Sequence, residues 1–217
     1  MESIEAKRKR VVEILRILRG LYPDAKLALA FSNPLELLIA LILAAQARDD
    51  LVNSVTPSLF SQYRRAADWA AVPMEQLQEQ LRKINFYRNK TRAIQKACHA
   101  LVERFGGNVP DRLDDLLSLP GVGRKTANIL LGNAFGQPVI GVDTHVGRVS
   151  GRLGLTAHTD PDKIEADLLA LVSAADRVAF CHLLQAHGRA VCTARNPGCA
   201  RCALRDLCPY PQAASTS

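Results

Sequence analysis

The sequence has no apolar run long enough to cross a bilayer. Its longest, Leu37–Ala45, covers nine residues, against roughly 20 for a spanning helix. The opening stretch MESIEAKRKRVVEILRILRGL lacks the apolar block and cleavage site of a secretory signal. Its Val11, Ile14, Leu15, Ile17, Leu18 and Leu21 mark one face of a helix instead. No segment alternates apolar and polar residues as a half-buried strand does, and there is no internal repeat or low-complexity tract. Only QAASTS at the end reads as a loose tail. These absences point to an intracellular chain without a membrane partner, where thiols stay reduced. Its six cysteines therefore need an explanation other than disulfides.

What is present is helix. With 217 residues and 48% apolar content, the chain can bury one large core or two small ones. Asn33 and Pro34 suit the cap and first turn of a helix over 35–46. Apolar residues occupy every face of that helix, so it belongs at the centre. Further helices are predicted at about 50–62, 73–83, 87–105, 111–118, 124–135, 145–153, 161–173 and 176–191. Gly106-Gly107 closes the longest and Asp160-Pro161 opens another. The fold class is all-α. Lys and Arg number 28 against 21 Asp and Glu, a formal +7 with a pI near 9.3, which favours a polyanionic partner.

Residues 119–130 read LPGVGRKTANIL. A triphosphate-binding loop needs four residues between its glycines, lysine directly after the second, and a strand before the first. Here one residue separates Gly121 from Gly123, Arg124 intervenes, and a helix precedes. The pattern is a helix-hairpin-helix. Its glycines let a DNA phosphate approach the backbone, and the N–H groups opening the second helix point at that phosphate. Lys125 is anomalous, because the first turn of a helix disfavours a cation. Either a phosphate compensates it, or it is a lysine of lowered pKa able to form a Schiff base.

Near the C-terminus, Cys192, Cys199, Cys202 and Cys208 are spaced C-x6-C-x2-C-x5-C. Four thiols so close signal a metal site, either structural zinc or a 4Fe–4S cluster. A single close pair, with the others wrapped compactly, favours the cluster. Cys98 and Cys181 sit inside helical patterns and read as buried apolar residues.

With these motifs in order, together with FSNPLELLIALILAAQ near the front and VDTH at Val142–His145, the chain resembles the endonuclease III family of DNA glycosylases over nearly its full length. The resemblance selects the 4Fe–4S cluster over zinc. It implies two helical lobes with a DNA-binding cleft between them. A six-helix barrel carrying the hairpin covers 27–137, and an iron–sulfur lobe combines 1–26 with 138–217. It further implies action on double-stranded DNA with damaged pyrimidines or abasic sites, and a monomer, since the fold binds DNA by itself; the small architecture points to a bacterial cytoplasm, at the nucleoid.

Residue roles follow from the same resemblance. Lys125, partly desolvated, attacks the anomeric carbon, forms an imine and permits β-elimination. Asp143 stabilises positive charge on the sugar. The D-T-H sequence before an apolar helix is also an N-cap pattern, and both roles can hold. Gln46, at the end of its helix, and Phe86 match the pair that fills the gap left by a flipped base. Gly121, Val122, Gly123 and Arg124 hold phosphate, His145 lines the site, and Arg195 in the loop TARNPG contacts the backbone. Where relatives commonly have glycine before the wedge, this chain has Asn85, expected to adopt the left-handed turn in its place. Other branches of the superfamily, which remove bases by activating water, lack lysine at this position.

Overall fold

The computed structural model describes residues 2–210; the QAASTS segment lies outside them. Among the described residues every regular element is helical, and no helix is long and apolar enough to cross a membrane. The chain divides into two compact units.

One unit spans residues 27–137 and contains α2 (Pro34–Ala44), α3 (Asp49–Gln62), α4 (Ala66–Ala71), α5 (Met74–Leu81), α6 (Tyr87–Phe105), α7 (Leu113–Leu117) and α8 (Arg124–Phe135). The Asn33 side chain accepts from the Glu36 N–H and Pro34 occupies the first turn. With Leu37, Leu38, Ile39, Ala40 and Leu43 all buried, α2 packs against α3, α6 and α8. That central position is what apolar residues on all faces require. The helix stops two residues earlier than the pattern suggests, at Ala44, because Gln46 is left-handed with φ 54°. The pattern does not announce α4. Six residues are too few to display a period, yet Asp68 accepts from the N–H groups of Arg64 and Arg65 and the buried Trp69 anchors it.

The other unit joins residues up to 26 with those from 138 onward. It holds α1 (Ile4–Leu21), α9 (Thr144–Arg152), α10 (Pro161–Leu171) and α11 (Arg177–Ala190). Val11, Ile14, Leu15 and Leu18 of α1 enter one core with Val146, Val149, Leu168, Phe180 and Leu184. The first helix thereby meets elements more than a hundred residues away in sequence. Arg10 fixes that meeting, donating to the carbonyls of Leu153 at 2.5 Å and Leu207 at 3.1 Å.

Cys98 and Cys181 are buried, 1% and 6% exposed. Burial pushes each thiol up to about 12, as expected of cysteines that serve as apolar residues.

Candidate active site and metal-ligand cluster

The hairpin is built from α7, a turn and α8. Gly121 has φ +81°, and a Cβ there would stand 3.2 Å from the Ala93 Cβ of α6. Both the turn and the close packing on α6 demand glycine. Val122 is buried and its N–H bonds to the Leu119 carbonyl at 3.2 Å, so it braces the turn from inside. Gly123 is the N-cap of α8, in extended conformation with φ −93°. A Cβ added there meets nothing within 4 Å, which leaves the approach to the helix end open. No side chain caps that end, and an uncapped helix N-terminus attracts anions.

Arg124 and Lys125 follow, both exposed. The exposure of Lys125 corrects the expectation of partial desolvation.

At the other candidate feature of this unit, Gln46 (φ 54°) and Phe86 (φ 58°) are the only non-glycine residues in the left-handed region among those described. Each costs about 1–2 kcal/mol in backbone strain. Phe86 is 61% exposed, which excludes core packing, and Gln46 is exposed as well. The left-handed residue of this turn is thus Phe86 itself and not Asn85, whose amide instead donates to the Gln46 carbonyl at 3.5 Å. Phe86→Gly is expected to raise the thermal midpoint by relieving about 1 kcal/mol of backbone strain, which a thermal melt checks.

In the other unit, Asp143 is the N-cap of α9. Its Oδ1 accepts from the N–H of His145 at 2.9 Å and of Val146 at 2.7 Å. Oδ2 faces His145 Nδ1 at 3.7 Å, leaving one oxygen outside the cap. Burial lowers His145, and Asp143 opposes that shift. The ring packs over Gly188, where a Cβ would stand 3.1 Å from His145 Cδ2.

All four cysteines of the C-terminal run are free thiols lining one largely apolar cavity, together with Val149, Leu153, Val191 and Leu204. Burial first, and then the charges of Cys192 and Cys199, push Cys202 and Cys208 up. Among the described residues no three such ligands converge tightly enough for one ion. Four cysteine thiols are a donor set for a tetrahedral zinc ion or for an iron–sulfur cluster. The donor set fits the cluster.

Two arginines missed by sequence reasoning shape this loop. Arg152 donates to the carbonyls of Thr193 (2.7 Å) and Ala194 (2.8 Å) and to Cys192 Sγ (3.3 Å). Arg148 donates to the carbonyls of Cys192 (3.1 Å) and Gly188 (3.0 Å). The signal was present: like charges one turn apart repel unless each has its own acceptor. His187, 2% exposed, links Tyr22 Oη (3.2 Å) to Cys202 Sγ (3.5 Å). Arg195 lies exposed in the loop between the first two cysteines.

Residues 39–174 match the family described as HhH-GPD superfamily base excision DNA repair protein, and the chain belongs to that superfamily. Within it the chain belongs to the endonuclease III family. Endonuclease III of Synechocystis sp. is 47% identical over 214 residues, 98% of each chain. That of Bacillus subtilis is 45% identical over 201 residues, 92% of each chain. A solved structure of a trapped endonuclease III–DNA covalent intermediate, an estranged-adenine complex, matches with a TM-score of 0.90 at 41% identity, covering 99% of this chain and 100% of that one.

Proposed function

We propose that this protein is a DNA glycosylase with abasic-site lyase activity that removes damaged pyrimidines from duplex DNA, with Lys125 as nucleophile. The observation that carries the reading is an exposed lysine in the first turn of an uncapped helix, entered through a glycine hairpin, in a chain so similar to endonuclease III. The uncapped N-terminus of α8 and Arg124 hold a phosphate beside the lysine. The Lys125 ammonium gives a proton to solvent, the neutral amine attacks C1′ as the bond to the base breaks, and the extra proton on the new C1′–N bond passes to the departing base. The nitrogen loses its proton as the sugar ring opens to the imine. Removal of a C2′ proton then expels the 3′ phosphate. Gln46 and Phe86 fill the space the flipped nucleotide leaves. Arg195 adds a phosphate contact, and His145 lines the site beside Asp143. The bacterial sources of the relatives support a bacterial cytoplasm, at the nucleoid, as the place of work, and the chain acts as a monomer.

Asp143 supplies a fixed negative charge against the oxocarbenium-like sugar. Asn caps helices about as well as Asp, so Asp143→Asn separates the two roles. We expect an unchanged melting temperature with excision reduced about a hundredfold or more. Asp143→Ala should additionally cost about 1 kcal/mol of stability. Wild-type excision and melting in Asp143→Asn, with a loss of stability only in Asp143→Ala, would reduce Asp143 to a cap.

Cys192, Cys199, Cys202 and Cys208 hold a 4Fe–4S cluster in this reading. When bound, it supplies a rigid cross-link for the loop that bears Arg195, with no part in base removal. The test of the whole proposal is incubation with duplex DNA carrying one thymine glycol, followed by borohydride. A covalent protein–DNA product is expected. Base release without trapping would assign the chemistry to activated water, and neither event would reduce the protein to a DNA binder for this lesion.

A further inference from the structure

Lys90 lies 6% exposed in the register of the buried face of α6, in line with Ile94, Ala97 and Leu101. A lysine in a core register is costly unless its ammonium is satisfied. Here Nζ donates to the Leu43 carbonyl at 2.7 Å. Leu43 is in the last turn of α2, where carbonyls lack an in-helix donor and the helix dipole favours a cation. That last turn contains no basic residue of its own. Lys90 supplies one from another helix.

The same residue lies in the first turn of α6, whose N-cap is the left-handed Phe86. Its backbone N–H bonds to the Phe86 carbonyl at 3.1 Å, and Gln46 stands three residues beyond Leu43. One lysine thus ties together the two segments bearing the only left-handed non-glycine residues described. Burial lowers its pKa, consistent with an amine enclosed between two elements.

We propose that Lys90 is a positioning residue: by capping α2 from α6 it holds Gln46 and Phe86 in register for insertion into the duplex. The inference rests on the proposed void-filling role of that pair. Strain at two exposed residues persists only where the surroundings enforce it, and a charge-assisted bond between their supporting helices is a sufficient restraint.

The test is a double-mutant cycle of Lys90→Met and Phe86→Ala, with two substrates. One is duplex DNA with a thymine glycol. The other is a single-stranded oligonucleotide with an abasic site, which has no base to expel and no gap to fill. Each single variant is expected to slow duplex excision about tenfold. The double variant should fall no more than about twofold below the slower single one. Cleavage of the single strand by Lys90→Met should stay within about twofold of wild type. Lys90→Met at the wild-type duplex rate overturns the inference, as do fully multiplicative losses or an equal loss on the single strand. If Phe86→Ala alone leaves duplex excision unchanged, the void-filling reading fails and the inference fails with it. Should the Met variant not fold, Lys90→Gln, which keeps a donor and removes the charge, enters the same cycle with the same criteria.

Discussion

Lys125→Ala is expected to abolish borohydride trapping and strand cleavage, a loss of at least about a thousandfold, while stability stays level or rises. The side chain is exposed, so truncation opens no cavity. Alanine is the better helix former, and removing a cation from the first turn of α8 relieves an unfavourable contact with the dipole, together about 0.5 kcal/mol. A residue whose loss stabilises the protein and ends its activity is kept for chemistry. The sequence left a second role open, as a counter-charge to phosphate. Lys125→Arg decides between them, since guanidinium binds phosphate but remains protonated and forms no imine. Trapping lost in both variants, with duplex affinity kept in the arginine one, identifies the nucleophile. Trapping retained in Lys125→Arg would move that role elsewhere.

The second large effect is expected at Cys202. Cys202→Ser changes one atom at a position of intermediate burial, so packing barely alters, yet the proposed cluster loses a ligand. Because ligand binding energy is folding energy for a small metal-bearing lobe, the unfolding midpoint should fall by about 10 °C or more. The visible absorption of the cluster should be lost in parallel. Amide exchange should accelerate in residues 138–210 before it does so in 27–137. The same change at buried Cys98 sets the scale: Cys98→Ser costs about 1–3 kcal/mol for an enclosed hydroxyl and should leave the absorption intact. If Cys202→Ser melts like wild type, the four thiols are not a ligand set.

Much of the site was legible because it depends on local chemistry. The glycines of LPGVGRK, the spacing of the four cysteines and the D-T-H cap are short-range patterns, and the positions they indicate carry the expected local geometry at Gly121, Gly123 and Asp143. The all-helical character was legible for the same reason, periodicity being a property of ten or so neighbouring residues. Local reasoning failed where a distant group decides conformation. Asn85 was the natural candidate for a left-handed turn, yet Phe86 adopts it. Gln46 does not end its helix but lies beyond it.

By itself, then, the sequence determined the helices, the hairpin, the ligand spacing and, through its resemblance, the family. Tertiary structure alone decided which partners lie across long separations. Arg10 reaches Leu207, Tyr22 reaches His187, Arg152 threads the cysteine loop, and Lys90 caps a helix 47 residues away. Propensity and periodicity act within a turn or two, whereas a buried donor takes whichever carbonyl the packed chain brings to it.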